Sequence, residues 1–240
     1  MLDPADRAAQ RGTRQRGHPH PRARCAWHHH TVRYADRDDA GKKLAAEIVR
    51  VVQDPAVVLG IPRGGVLVAV PVARALGAPL DVVVPRKVGA PFNPELGLGA
   101  VAPGVRVLDE TLIARLGVSA EYLEGEIARQ EEEIARRTAA YRGDRPAVEL
   151  EGRTAVIVDD GVATGGTALA AARWARAQRA PTVVFGAPVG PPETAARLAA
   201  ACDAVVVLQT PFAFSAVGEW YDRFDQVSDD EVRAALEGAG

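Results

Sequence analysis

Between Ala155 and Thr167 an apolar, β-branched run, Ala155-Val156-Ile157-Val158, ends abruptly in two adjacent carboxylates, Asp159 and Asp160. A Gly/Thr-rich turn follows, Gly161-Val162-Ala163-Thr164-Gly165-Gly166-Thr167. The run predicts a buried strand of a parallel sheet, and the Ala-rich segment from Thr167 to Gln178 predicts the helix after it. The turn then lies at the carboxyl end of a strand, where open α/β sheets bind their ligands. Backbone N–H groups at the helix start lack intrahelical partners and carry the positive end of the dipole, so they suit a phosphate. Gly165 and Gly166, without Cβ, let it come close. Asp159 and Asp160 can accept charge-assisted hydrogen bonds from a vicinal diol. One turn thus offers grips for a phosphate and for a ribose.

Two other phosphate motifs fail here. A P-loop requires G-x-x-x-x-G-K-S/T; Gly161 and Gly166 have that spacing, but Thr167 stands where the lysine belongs. A dinucleotide fingerprint requires G-x-G-x-x-G after a strand, and no such pattern occurs.

At Val158 to Thr167 the chain resembles the type I phosphoribosyltransferases, whose signature is a hydrophobic strand, two acidic residues and a Thr-Gly-x-Thr loop. From about Tyr34 onward it is similar to small bacterial members of unassigned acceptor. The resemblance implies that Asp159, Asp160, Gly161, Val162, Ala163, Thr164, Gly165, Gly166 and Thr167 hold the ribose and 5-phosphate of phosphoribosyl pyrophosphate (PRPP). It also implies magnesium as cofactor, with Asp159 and Asp160 as its carboxylates, directly or through water. The partners it implies are PRPP and a small nitrogenous acceptor.

Two further segments suit the same chemistry. Val57-Val58-Leu59-Gly60-Ile61-Pro62-Arg63-Gly64-Gly65 is an apolar run ending in a Gly-rich turn, with a helix-compatible stretch from Val66 to Leu76 behind it. The resemblance makes Arg63, Gly64 and Gly65 pyrophosphate-binding; a tight βα turn with a solvent-facing arginine is the alternative. Leu80-Asp81-Val82-Val83-Val84-Pro85-Arg86-Lys87 reads as one strand ending in two cations, and Val88 to Glu95 as a loop. By resemblance Arg86 and Lys87 contact pyrophosphate and act catalytically with Asp159 and Asp160, under a mobile loop. A solvated basic strand end is the other reading.

Composition narrows the class. The chain has 240 residues, 48% hydrophobic and 25% charged, which suits one globular domain from 34 to 240. A formal net charge of -2 offers no basic field for nucleic acid. Cys25 and Cys202 give no disulfide framework, so a reducing cytoplasm is expected. No apolar run reaches the roughly 18 residues of a membrane helix. Residues 1–33 carry seven arginines against Asp3 and Asp6, with little periodicity, and read as a disordered extension. Its Arg-rich character suggests a transit peptide or translation from an upstream start. His28-His29-His30 within it reads as adventitious metal binding.

Along the rest, helices are expected at 38–52 and 167–178, and a short strand or hairpin at 99–108. From Ser119 to Tyr141, Leu123, Ile127, Ile134 and Tyr141 form a helical stripe, with Glu132–Arg136 and Glu133–Arg137 as i,i+4 pairs. This long inserted helix should pack beside the sheet or support a homodimer. Strand 182–187, helix 192–201 and strand 204–208 then complete an α/β, doubly wound, mainly parallel sheet. The aromatic tail from Thr210 to Phe224 could wall a base or anchor the core edge.

By resemblance the activity is transfer of the 5-phosphoribosyl group from PRPP to a nitrogen nucleophile with pyrophosphate release. Ala163 stands where 6-oxopurine enzymes carry an aspartate, which disfavours hypoxanthine and guanine; adenine or another nitrogen acceptor remains. A PRPP or nucleotide sensor with little turnover is the alternative, since fold and grip do not prove chemistry. A phosphoester hydrolase ranks lower, because no His or Cys nucleophile lies near the three segments.

Overall fold

The computed structural model describes residues 33–239. The readings for 1–32, including Cys25, the histidine tract and the Arg-rich extension short of Arg33, lie outside the described residues.

Five strands, β1 (Ala56–Gly60), β2 (Leu80–Val82), β6 (Thr154–Val158), β7 (Thr182–Val189) and β8 (Ala204–Gln209), form a parallel sheet in the order β2-β1-β6-β7-β8. Their continuous apolar runs are buried on both faces. Val58, Val156, Val184 and Val206 point to one core, packed under α1 (Arg37–Val51), α2 (Gly64–Leu76) and α7 (Asp229–Glu237). Val57, Leu59, Ala155, Ile157 and Phe185 point to the other, covered by α5 (Gly166–Ala177) and α6 (Pro192–Leu198). The fold is therefore α/β and doubly wound, as the alternation predicted. The chain turns from β2 back across β1 to β6, so the strand order reverses at β1 and β6 and opens a crevice at their carboxyl ends. These strands pair in register, Gly60 opposite Val158, so the turns that leave them start side by side.

A second, antiparallel sheet of β3 (Arg86–Ala90), β4 (Asn93–Ala102) and β5 (Val105–Leu108) corrects one expectation. Leu80 to Lys87 is not a single strand. Pro85 has no N–H to give to a ladder and the chain leaves the parallel sheet, so Arg86 and Lys87 begin β3 rather than end β2. Val88 to Glu95 is likewise a hairpin with an irregular register at Val88 and Gly89, not a loop. The hairpin expected within 99–108 is β4 and β5.

The long helix is present as α4 (Ala120–Arg142), packed against β2, β3, β4 and α7. Ile127, Ile134 and Tyr141 are buried along its stripe. Of the two ion pairs, Glu133–Arg137 forms at 2.6 Å; Arg136 bonds Glu133 at 2.7 Å instead of Glu132. Helices α3 (Glu110–Leu116) and α7 were not anticipated. The capping box of Ser228 and Glu231 at the start of α7 is a sequence signal that would have located the latter. No helix of the described residues is long and apolar enough to cross a membrane.

Candidate functional site

The in-register ends of β1 and β6 bring the first Gly-rich turn onto the acidic pair. A Cβ on Gly64 would stand 1.8 Å from Asp160 Oδ2, and one on Gly65 would stand 2.7 Å from the Val158 carbonyl and 2.8 Å from Asp159 Cα. Only glycines allow this contact, so Arg63-Gly64-Gly65 and Asp159-Asp160 make one site. The Pro62–Arg63 peptide is cis. Arg63 precedes α2 without a side-chain cap on that helix, and its Nη1 lies 3.9 Å from Asp229 Oδ1.

Beyond the acidic pair the chain enters the second turn. Gly165, at φ 73°, is the left-handed residue before α5, which also has no side-chain cap. The first turns of α2 and α5 thus both lack a side-chain cap, and the carboxylates lie against the first of them. Ala163 and Thr164 are exposed, Gly166 and Thr167 half-buried. Val162 N–H donates to the Val189 carbonyl at 2.8 Å, which pins the turn to β7. From α6, Thr194 Oγ1 donates to the Ala163 carbonyl at 2.6 Å, and Arg197 Nη2 lies 3.4 Å from where a Gly165 Cβ would stand.

The carboxylates sit where solvation is poor. Burial, with the neighbouring Asp160 charge, pushes Asp159 well above the usual carboxylate range. Asp160 is also raised by burial, with Arg37 pulling the other way. The Asp160 N–H donates to Asp159 Oδ1 at 2.8 Å.

Arg86 and Lys87 are not brought together. Consecutive strand residues face opposite sides. Arg86, half-buried, donates from Nε to Gln130 Oε1 of α4 at 2.9 Å. Lys87 lies opposite Ala100 in the ladder and so leaves β3 on the face that Ala100 turns toward α5. A Cβ on Gly166 would stand 3.9 Å from Ala100 Cβ, so Lys87 is on the side of the second turn. Its Nζ is bonded to Glu95 Oε2 at 2.9 Å.

Three residues escaped the sequence reading: Arg37, whose Nε donates to Asp160 Oδ2 at 2.8 Å, and Thr194 and Arg197, which back the second turn. Tyr221, in the aromatic tail already singled out, donates from Oη to the Asp160 carbonyl at 2.5 Å. Arg37 had a signal: it occupies the first position of α1, where the helix dipole disfavours a cation. The aromatic tail acts here as an anchor. Tyr221 is buried between Tyr34, 5.5 Å away, and Phe224, 4.9 Å away, whereas Phe212 is 93% exposed. Arg37, Arg63, Gly64, Asp160 and Phe224 line a cleft of about 380 Å³. Larger clefts of about 560 and 760 Å³ lie beside α7 and α4. Neither holds Asp160 with Arg63 and Gly64, as the smaller cleft does, and no residue of the second turn lines any of the three, so chemistry rather than size selects the site.

Residues 34–222 match the family model of the phosphoribosyl transferase domain. A Mycobacterium tuberculosis protein named "Putative phosphoribosyl transferase" is 48% identical over 207 residues, covering 86% of this chain and 47% of its own length. The chain spans about half the length of the curated relatives it matches. The crystal structure of TT1426 from Thermus thermophilus is 45% identical with a TM-score of 0.73, covering 85% of this chain and 98% of that one.

Proposed function

Because the chain belongs to the phosphoribosyl transferase family, we propose that it moves the 5-phosphoribosyl group between PRPP and a nitrogenous base, with release of pyrophosphate. The observation that carries this reading is the acidic pair set against the uncapped start of α2 at Gly64 and followed along the chain by the uncapped start of α5 at Gly166. A substrate with a diol between two phosphate groups matches that order of charges.

In this reading Thr164, Gly165, Gly166 and Thr167 take the 5-phosphate, whose binding energy positions the reacting carbon. Asp159 and Asp160 take the ribose hydroxyls. As the C1–O bond to pyrophosphate breaks and the C1–N bond forms, positive charge develops on the ring and negative charge on the leaving group. The carboxylates offset the first and Arg63, the Gly64-Gly65 amides and Lys87 the second. Two carboxylates and a substrate polyphosphate are the oxygen donors Mg²⁺ prefers, while it keeps several waters. Among the described residues no group of three or more such ligands could hold a metal without substrate. The donor set therefore fits a magnesium ion that arrives with PRPP and touches Asp159 and Asp160 directly or through water. That ion would neutralise pyrophosphate charge.

Full-length protein with Mg²⁺ and PRPP should show a Tm rise equivalent to about 2.7 kcal/mol at a hundred times Kd. Incubation with a panel of bases, adenine included, should release pyrophosphate with at least one. No shift across millimolar PRPP would refute the reading. A shift without pyrophosphate release would favour a PRPP- or nucleotide-binding regulatory protein.

A further inference from the structure

We infer that Arg37 is a positioning residue for the sugar: it holds one oxygen of the Asp160 carboxylate, leaves the other for the ribose hydroxyls, and ties that orientation to the C-terminal segment. This rests on the ribose-binding reading of Asp160 above.

A cation at the first turn of a helix works against the dipole, yet the Arg37 side chain is only 11% exposed. Three contacts account for its place. Nε donates to Asp160 Oδ2 at 2.8 Å, Nη1 donates to the Asp225 carbonyl at 2.9 Å, and the guanidinium lies 3.9 Å over the Phe224 ring. Stacking fixes the plane of the fork and the carbonyl fixes its rotation, so Nε points at one carboxylate oxygen. A lysine has neither the plane nor the fork.

On the other side, Asp160 is confined as well. Its Oδ2 lies so close to Gly64 that a Cβ there would stand 1.8 Å away, and its backbone carbonyl takes the Tyr221 hydroxyl. Oδ1 is the oxygen that Arg37 does not hold; the carboxyl group also interacts with its neighbour Asp159, so a ligand would meet the two together. The C-terminal segment that stacks on Arg37 is itself fastened to the chain before α1. The Asp222 N–H donates to the Tyr34 carbonyl at 2.8 Å, and the Arg223 N–H to the Ala35 carbonyl at 3.1 Å. Displacing Phe224 and Asp225 would thus free Arg37 and, through it, the sugar-binding carboxylate.

The test compares binding of ribose 5-phosphate, which carries the hydroxyls, with inorganic pyrophosphate, which does not. Titration calorimetry is run on the full chain and on R37Q, R37K, D160N and the R37Q/D160N double variant, each checked for folding by circular dichroism and Tm. Arg37→Gln is expected to weaken ribose 5-phosphate tenfold or more and leave pyrophosphate within twofold. Arg37→Lys should recover little of the loss. The double variant should bind no more weakly than D160N, because both changes act on one carboxylate. Should Arg37→Gln not fold, Phe224→Leu, which removes the stacking and keeps the arginine, should weaken ribose 5-phosphate several-fold on its own.

Unchanged ribose 5-phosphate affinity in R37Q, additive losses in the double variant, or an equal loss of pyrophosphate, as expected if Arg37 were itself a pyrophosphate ligand, would overturn the assignment. If wild-type protein binds neither probe, the phosphoribosyl reading fails and takes this inference with it. Normal wild-type binding with an indifferent R37Q sinks only the role of Arg37.

Discussion

Asp159 holds a carboxylate where solvent is scarce and beside a second carboxylate, and both effects favour its protonated form. The sign of the pH dependence follows. A carboxylate raised in the native state binds its proton more tightly there than in the unfolded chain. Stability therefore falls as pH rises from the ordinary carboxylate range through the raised native value, and the cost is fully present above it. Asparagine at 159 keeps an acceptor for the Asp160 N–H and removes the charge. Ligand-free Asp159→Asn in a metal-free buffer should thus melt above wild type at pH 8, by about 2–4 °C for each kcal/mol relieved. The gain should shrink as pH is lowered, and the PRPP-dependent shift should be lost. A lower Tm than wild type at pH 8 would show that the carboxylate is structural, not held at a cost for a ligand.

At the scale of elements, β3 divides two cations that sit side by side in sequence. Arg86 faces α4, where Gln130 is only 4% exposed and donates in turn to Glu126 at 2.7 Å. Burial lowers the Arg86 pKa, consistent with a guanidinium enclosed by protein. Replacing it by alanine strands the Gln130 oxygen, at a cost of about 1–3 kcal/mol. Lys87 and Glu95 form an exposed pair of little consequence for stability. Lys87→Ala should keep its unfolding free energy within about 0.5 kcal/mol of wild type and still weaken pyrophosphate several-fold. Urea unfolding and calorimetry on the two single variants test this division. Equal pyrophosphate losses would mean that both side chains reach the same ligand.

For the molecule as a whole, the excursion from β2 through the second sheet and α4 back to β6 must be tied at its ends. Asp81, 4% exposed on the edge strand, makes that tie. It accepts from Arg142 Nε at 2.9 Å in the last turn of α4 and from the Val148 N–H at 3.1 Å on the way to β6. Removing one partner of a buried ion pair leaves the other charge unpaired, which typically costs about 3–5 kcal/mol. Asp81→Ala should lose stability on that scale in urea unfolding. A loss below about 1 kcal/mol would show that Arg142 finds water or another acceptor. Cys202, in the other core, needs no such partner; burial pushes its thiol up to about 12, so it is an inert core residue.

The features legible in the amino-acid sequence were local ones. Apolar runs at β1 and β6, the glycines and acids that end them, and the amphipathic stripe of α4 depend on residues within a few positions of one another, so the doubly wound class and both turns could be read directly. The capping box of α7, Ser228 with Glu231, is just as local a signal. Tertiary structure settled what those pieces face. Pairing of β1 with β6 set Gly64 against Asp160, the second sheet entered after Pro85 set Arg86 against α4 and Lys87 on the side of the second turn, and packing of α1 and the C-terminal segment delivered Arg37 and Tyr221 to Asp160. Residues 37, 160 and 221 share no helical or strand period. Only burial of the common core, which gains free energy from contacts distant in sequence, brings them into one site.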